Sequence, residues 1–428
     1  MTKPKRFRFL TRGSLPGDAP PLGLYHYVRE ADGRIARFHL RVDATGDGLL
    51  MANAAAMARL NASGVVIAKG LLDGDDPAVI AARMKKGFRG AKAEQIAADI
   101  ATVETLIKRM ESPDGSYPIL NLTDPAFSPT AAPLGRPISA DVPLCAPFHI
   151  GRIFERLWQL GIPHATIIAG QDPDEEYLIR AIEKAEDLGI ITGVRGRGTD
   201  LDLPARVATM AGAGLDHLDI YCLSTQDPIH DALVGDGDCK QAIQTLSTAR
   251  KNEICAVAQV VLVQSTLEVI DQTLESLASH GIENVCVFAI AATDDAGAST
   301  GALLARELAP AARWVEESSE ELGLRLVWCP TVRFDPNSTL GEQVCRGPRT
   351  SGDGAIRIEP NGSVILPRGP RRPAGNLLED DWETIERSEM FQKYRQRVET
   401  DTHCDQCPGL AICAADCPRD PTGWAESG

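Results

Sequence analysis

The chain lacks several features that would place it at once in a large class of proteins. No run of eighteen apolar residues occurs, so no transmembrane helix is predicted. No apolar stretch of signal-peptide length follows the basic start of the chain, which argues against secretion and favours a cytoplasmic protein. The formal net charge of −15 excludes the basic surface that a nucleic-acid partner requires.

Common catalytic signatures are also missing. The sequence contains no Walker loop, no HExxH zinc motif and no GxSxG nucleophile motif, and it shows no solenoid repeat. With 43% hydrophobic and 24% charged residues, the composition is that of an ordinary globular protein. The length of 428 residues predicts two to four domains at about 100–200 residues each.

The first segment predicts a small sheet followed by three helices. Phe38 to Val42 and Leu49 to Met51 predict two strands, and the glycine-rich link over 43–48 predicts a hairpin. Helices are expected over 63–72 and 76–88, and the third has five apolar residues on one face. These five residues are Ile96, Ile100, Val103, Ile107 and Met110. The pattern predicts a winged-helix-like domain over residues 20–112.

A proline-rich linker over 113–137 leads to a segment in which strands and helices alternate. This alternation predicts right-handed βαβ units around a parallel sheet, in an α/β domain over 138–330. An open or partial (β/α) barrel is expected, with function at the carboxyl ends of the strands. The predicted strands are Ile138–Leu144, Ala165–Ala169, Ile190–Val194, Leu218–Leu223, Ile254–Val263, Val285–Ile290 and Arg325–Trp328.

Cysteine and histidine within this segment have an ordinary structural interpretation. Cys222, Cys255 and Cys286 fall in predicted core strands, where a buried cysteine behaves as a small hydrophobic residue. His164 and His217 flank strands, and we expect them to be structural rather than metal ligands.

The last segment, residues 331–428, is rich in loops and carries the most specific signal, Cys404-x2-Cys407-x5-Cys413-x3-Cys417. Thiolates are soft ligands that suit zinc or an iron–sulfur cluster, and nearby glycine and proline let a short loop wrap around one. Clustered cysteines in a chain without a secretion signal favour metal binding. Free thiols and disulfides stay as alternatives.

The residues around this cluster form an ordered set of motifs. They are Glu359-Pro-Asn-Gly-Ser-Val-Ile-Leu-Pro367, Ala374-Gly-Asn-Leu-Leu378, Trp382-Glu-Thr-Ile385, Ser388-Glu-Met-Phe391 and the closing Cys417-Pro418. In order and spacing this set resembles a SPASM domain. That domain ends many peptide maturases of the radical-SAM family, which use S-adenosylmethionine, and it carries auxiliary [4Fe–4S] clusters.

Two departures from the SPASM pattern affect the expected ligands. No cysteine follows Pro367 within the motif, and none follows Cys417. The resemblance assigns Cys404, Cys407 and Cys413 to one cluster and Cys345 and Cys417 to the other, so that each set is incomplete. One [4Fe–4S] cluster with a non-cysteine ligand, one zinc ion held by four thiolates, and no metal all stay open.

The middle segment resembles the partial barrel of radical-SAM enzymes, with one decisive departure. The resemblance implies that Gly170, Gln171 and Asp172 correspond to the loop that holds the methionine amino group of S-adenosylmethionine, although Gln171 lacks the usual carboxylate. Radical chemistry requires CxxxCxxC after the first strand, whereas here only Cys145 is present, followed by His149. We therefore expect no binding or radical cleavage of S-adenosylmethionine.

A second departure lies at the end of the third strand of the barrel. The sequence there is Val194-Arg-Gly-Arg-Gly198, where the family commonly has an asparagine–glycine pair. The two arginines suggest a pocket that no longer holds the same ligand. Solvated loop charges are the simpler interpretation of Arg195 and Arg197, and it is the one that we expect.

The first segment, from Arg37 to Phe88, resembles a PQQ-biosynthesis-type peptide chaperone. The motifs are His39-Leu-Arg-Val-Asp43, Gly48-Leu-Leu50 and Arg59-Leu-Asn61. That module is the recognition element of many enzymes acting on ribosomal peptides (RiPPs), and it binds a leader peptide along a strand edge. A generic winged helix is the alternative; a DNA-binding one is disfavoured by the acidic charge.

Together these resemblances imply a degenerate radical-SAM/SPASM protein without catalytic residues. We expect it to bind a precursor peptide, and a radical-SAM protein as partner, in peptide maturation, without contacting nucleic acid or membrane. An enzyme with a residual iron–sulfur cluster or a different cofactor is the alternative. A conventional radical-SAM enzyme is the third possibility, and it is disfavoured by the missing thiolates.

Overall fold

The computed structural model describes residues 20–392, except 32–33, 53–55, 89, 112–135, 202–203, 293, 353 and 368–370. The chain divides into two compact units, Met1–Gly135 and Arg136–Gly428. The four tail cysteines and nearly all of the proline-rich linker lie outside the described residues. No helix within the described ranges is long and apolar enough to cross a membrane.

In the first unit, an antiparallel sheet with the strand order β1-β2-β3-β4 is followed by three helices. Alternate residues of β2 (Phe38, Leu40 and Val42) lie in the core. The five apolar residues predicted on one face of the third helix are all buried as well. The elements are β1 Gly23–Ala31, β2 Arg34–Val42, β3 Gly48–Ala52, β4 Ala56–Leu60, α1 Ala62–Asp73, α2 Pro77–Gly87 and α3 Ala93–Met110.

Local sequence explains where these helices begin. The side chain of Asn61 accepts a hydrogen bond from the amide of Gly64 and caps α1. Asp76 caps α2 in the same way, with Pro77 in the first helical position. The predicted hairpin and the three predicted helices are confirmed, and the structure adds the strands β1 and β4.

The second unit is built on a sheet whose central strands, β5 to β10, are parallel and lie side by side in chain order. Among the described residues, no pairing closes this sheet into a barrel. The strands are β5 Ser139–Pro143, β6 His164–Ile168, β7 Ile191–Gly196, β8 His217–Tyr221, β9 Cys255–Leu262, β10 Asn284–Ala292, β11 Leu303–Leu304, β12 Arg325–Trp328, β13 Val332–Arg333, β14 Ala355–Ile358, β15 Ser363–Ile365 and β16 Gly375–Asn376.

Helices connect the parallel strands, as the predicted βαβ pattern requires. Each of the seven predicted strands agrees with an observed strand, so that the parallel α/β fold is confirmed. The helices are α4 Pro147–Leu160, α5 Glu175–Leu188, α6 Gly198–Leu201, α7 Pro204–Gly212, α8 Asp227–Val234, α9 Asp238–Lys251, α10 Gln264–Leu267, α11 Ile270–Ser279, α12 Asp295–Ala298, α13 Leu308–Glu321, α14 Leu340–Arg346 and α15 Trp382–Glu386.

The motif beginning at Glu359 forms an antiparallel hairpin at one end of this sheet. Strand β14 pairs in parallel with β5 and antiparallel with β15, and β16 extends the sheet beyond β15. Gly362 lies in the turn with φ +88°, and a Cβ there would approach the Asn376 side chain to 2.4 Å. Glycine is therefore required at this point of the motif.

Candidate functional site

The two faces of the central parallel sheet differ sharply in chemistry. In β8, Leu218 and Ile220 belong to the apolar core, whereas His217, Asp219 and Tyr221 alternate with them. Because side chains alternate across a strand, these polar groups occupy the other face. A polar face enclosed within the second unit is where a function is most readily built.

Arg195 is the centre of this polar face. Its Nη1 lies 3.2 Å from Oδ2 of Asp141 on β5, and its Nη2 lies 3.3 Å from Oδ2 of Asp219 on β8. All three side chains are buried. Since β6 separates β5 from β7, the guanidinium spans the inner face of the sheet and joins strands that do not pair directly.

Two histidines extend the network. His217 Nδ1 lies 2.7 Å from Asp219 Oδ1, and His217 Nε2 lies 2.8 Å from His164 Nε2. A carboxylate only accepts hydrogen bonds, so Nδ1 of His217 carries the hydrogen of the bond to Asp219. A Cβ on Gly193 would stand 1.9 Å from the His217 ring, which explains the glycine at this point of β7.

The network shifts the pKa values of its two carboxyl groups in opposite directions. Burial raises the pKa of Asp141 above its usual range, although Arg195 and the Ser351 hydroxyl oppose the shift. Burial acts in the same direction on Asp219, but the neighbouring His217 and Arg195 outweigh it and lower its pKa. Asp219 is therefore the ionised partner on which the arginine and the histidine depend.

These residues correct one interpretation drawn from sequence. Arg195 is not a solvated loop charge, because only 3% of the residue is exposed and it bonds two carboxylates. Arg197 is partly buried, and its guanidinium donates two hydrogen bonds to Asp200. His164 and His217, expected to be structural, bond each other inside the sheet. A signal was available, because Asp141, Arg195 and Asp219 each interrupt an apolar strand.

The loop after β5 carries the position expected for radical chemistry. Cys145 is half-buried, and burial raises the pKa of its thiol although the amide of Ile150 donates a hydrogen bond to the sulfur. The positions that would complete CxxxCxxC hold His149, which is exposed, and Arg152, whose guanidinium lies 5.8 Å from the ring of Phe148. One thiol, one imidazole and one cation do not fit a cluster that needs three thiolates.

The loop after β6 contains Gly170, Gln171 and Asp172, which the sequence resemblance places at a degenerate S-adenosylmethionine loop; all three are exposed. Gly170 has φ +76° and Asp172 has φ +46°, an uncommon conformation for a non-glycine residue. The amide of Asp172 donates to Oδ1 of Asp200 at 3.1 Å. Because Asp200 also binds Arg197, the loops after β6 and β7 share one carboxylate.

A second carboxylate, Asp238, joins the helices that follow β7 and β8. The amide and hydroxyl of Thr199 donate to its Oδ1 at 2.8 and 2.7 Å, and Nε2 of His230 lies 3.0 Å from its Oδ2. Burial alone would raise the pKa of Asp238, but the hydrogen bonds from His230 and Thr199 outweigh burial and lower it. Asp238 thus holds the helices after β7 and β8 together as an ionised carboxylate.

Only one of the five predicted metal ligands is among the described residues. Cys345 lies half-buried on α14, where burial raises the pKa of its thiol and Arg197 opposes the shift. Cys404, Cys407, Cys413 and Cys417 fall outside the described ranges. Within those ranges, no three His, Cys, Asp or Glu side chains are arranged to hold a metal ion.

The fold is similar to that of SuiB from Streptococcus suis. SuiB bound to S-adenosylmethionine is 14% identical, with a TM-score of 0.55 over 88% of this chain and 93% of SuiB. SuiB bound to the precursor peptide SuiA is 12% identical, with a TM-score of 0.55 over 91% of this chain and 94% of SuiB. No protein-family model and no curated protein matches the sequence. At such low identity the likeness shows the fold alone: the chain has a mixed α/β fold with a parallel sheet, similar to that of SuiB.

Proposed function

We propose that this protein binds a ribosomal precursor peptide and supports its maturation without cleaving S-adenosylmethionine. The single observation that carries the proposal is the loop after β5, where Cys145 stands alone. A radical-SAM cluster leaves one iron open for the cofactor and needs three protein thiolates for the others. His149 and Arg152 cannot supply the two that are missing.

The buried network supports the same conclusion. Arg195, Asp141 and Asp219 fill the inner face between β5 and β8 with the protein's own charges. Removing one member would leave a buried charge without its partner, so each member is needed for the stability of the sheet. A structural network at this place suits a scaffold better than a reaction chamber.

Peptide binding is proposed for the first unit, as a recognition element of the PQQ-chaperone type. Strand β1 lies at one edge of its sheet, where an extended peptide can add a further strand. Val28 on β1 is 59% exposed, and a large apolar side chain at a sheet edge offers a contact for an apolar peptide residue. The SuiB structure that contains its precursor peptide has a similar fold.

The binding experiment uses the full chain and a fluorescent precursor peptide encoded beside its gene. Val28→Asp is expected to raise the dissociation constant roughly tenfold, about 1.4 kcal/mol, because a charge replaces the apolar contact. The matched control is Val79→Asp on α2, where the valine is 49% exposed away from the sheet, and it should leave binding unchanged. Equal weakening by both variants, or no binding by the unmodified chain, would exclude this peptide site.

For the tail, we propose that Cys345, Cys404, Cys407, Cys413 and Cys417 hold either a [4Fe–4S] cluster or a zinc ion. Iron, sulfide and zinc analysis after anaerobic purification distinguishes the two. Replacing Cys407 and Cys413 by serine should abolish metal retention, whereas replacing the buried Cys222 should not. A metal-free tail in all samples would overturn this part.

We propose a radical-SAM protein as the partner, because the maturation chemistry must then come from another chain.

A further inference from the structure

Two cysteine sulfurs touch each other in the interior of the second unit. Sγ of Cys286 on β10 lies 3.0 Å from Sγ of Cys329, which directly follows β12, and both residues are buried. Strands β10 and β12 pair in parallel with Cys286 opposite Val327. The amide of Cys329 donates to the carbonyl of Val287 at 2.8 Å, so the sheet itself holds the two sulfurs together.

We propose that Cys286 and Cys329 are a modification site, a dithiol that a peroxide oxidises to an intrachain disulfide. One sulfur attacks a peroxide oxygen, the O–O bond breaks and one water leaves, which gives a sulfenic acid. The second sulfur then displaces the other water and forms the S–S bond. In sum the two thiols lose two protons and two electrons, and hydrogen peroxide is reduced to two water molecules.

The surroundings favour a small oxidant over exchange with another thiol. Neither sulfur is open to a large partner. Hydrogen peroxide is close to water in size, and the touching second thiol is placed to trap the sulfenic acid before further oxidation.

The disulfide would act on the buried charge network. The thiol of Cys329 donates a hydrogen bond to the carbonyl oxygen of Ser351 at 3.4 Å. The hydroxyl of Ser351 in turn donates to Oδ1 of Asp141 at 2.8 Å. Oxidation removes the hydrogen from the Cys329 sulfur. The redox state of the pair is therefore connected, through Ser351, to the carboxylate that binds Arg195.

The test is a disulfide map of the full chain. Reduced protein is treated with hydrogen peroxide, its free thiols are blocked with N-ethylmaleimide in denaturant, and it is digested without reductant for mass spectrometry. We expect the peptides containing Cys286 and Cys329 to be linked, with the mass of two hydrogens lost, and to separate after reduction. The urea midpoint followed by tryptophan fluorescence should rise on oxidation, because the link closes a loop across 43 positions.

Matched variants make the assignment specific. Cys286→Ser and Cys329→Ser should each abolish the link and the shift in the urea midpoint. Cys222→Ser removes another buried cysteine and should preserve both. Alkylation of both cysteines after peroxide treatment, separate sulfonic acids, or links from either one to other cysteines would overturn the proposal, and wild-type protein alone suffices to observe these outcomes.

Discussion

At the scale of single residues, the most consequential feature is the charge balance inside the parallel sheet. Arg195 supplies one positive charge between Asp141 and Asp219, and the Nδ1 atom of His217 is hydrogen-bonded to Asp219. Buried charges persist only when they are paired and hydrogen-bonded. The charged residues that interrupt apolar strands could be seen in the sequence, but their partners could not, because pairing depends on the strand order and register that place Arg195 opposite Asp219 and within reach of Asp141.

The first prediction concerns this pairing. Arg195→Met should lower the free energy of unfolding by about 3–5 kcal/mol, because it leaves buried carboxylates without their counter-charge. All five tryptophans lie after residue 135, so fluorescence during urea unfolding reports the second unit. The control is Arg180→Met, which removes an exposed pair with Glu176 and should cost less than about 1 kcal/mol. Equal losses in the two variants would contradict a buried network.

A second prediction concerns the glycine beside the histidine. Gly193→Ala should destabilise the second unit by about 1–3 kcal/mol, since its Cβ overlaps the His217 ring, which hydrogen bonds hold on both sides. Gly212→Ala, at the end of α7 with open space around it, should instead stabilise by about 0.4–1 kcal/mol. The same urea experiment measures both, and a neutral Gly193→Ala would show that His217 is free to move.

At the scale of secondary structure, most of the second unit could be predicted. Continuous apolar runs such as the one that forms β9 are typical of strands buried on both faces, and helical periodicity separates them. The sequence pattern did not predict strand β1. Its valine, Val28, is exposed, and its charged residues break the alternation of apolar and polar residues that is typical of a strand. Strand β4, Ala56–Leu60, is short and rich in alanine, which favours helix.

A third prediction belongs to the junction of α6, α8 and α9 at Asp238. The folded protein lowers the pKa of this carboxyl, so its stabilising effect is present above the ordinary value of 3.8 and is lost as the pH falls below it. Asp238→Asn should cost about 2 kcal/mol at neutral pH and should flatten the loss of stability in acid. The measurement is the urea midpoint as a function of pH.

The control for this experiment is Asp236→Asn, an exposed carboxylate in the turn that precedes α9, two residues before Asp238. It should follow the wild-type pH profile. If Asp238→Asn loses stability in acid as steeply as the wild type, the carboxylate does not hold the three helices together.

At the scale of the whole molecule, the fold class followed from the alternation of strands and helices, and the likeness to SuiB supports it. The strand order of the sheet did not follow, because it depends on pairings between distant segments such as β14 with β5. The candidate site could be predicted only at its edges, in the loops that contain Cys145 and Gly170. Its buried centre requires knowledge of which side chains share a face.

The central proposal is that this chain does not cleave S-adenosylmethionine, although its fold is similar to that of SuiB. The decisive measurement reconstitutes the protein anaerobically with iron and sulfide, adds S-adenosylmethionine and dithionite, and quantifies 5′-deoxyadenosine. The double variant His149→Cys and Arg152→Cys, which restores the CxxxCxxC spacing, is assayed in parallel as a matched chain. We predict that the unmodified protein forms no more product than a sample without protein, and stoichiometric or catalytic formation of 5′-deoxyadenosine by the unmodified chain would contradict the account.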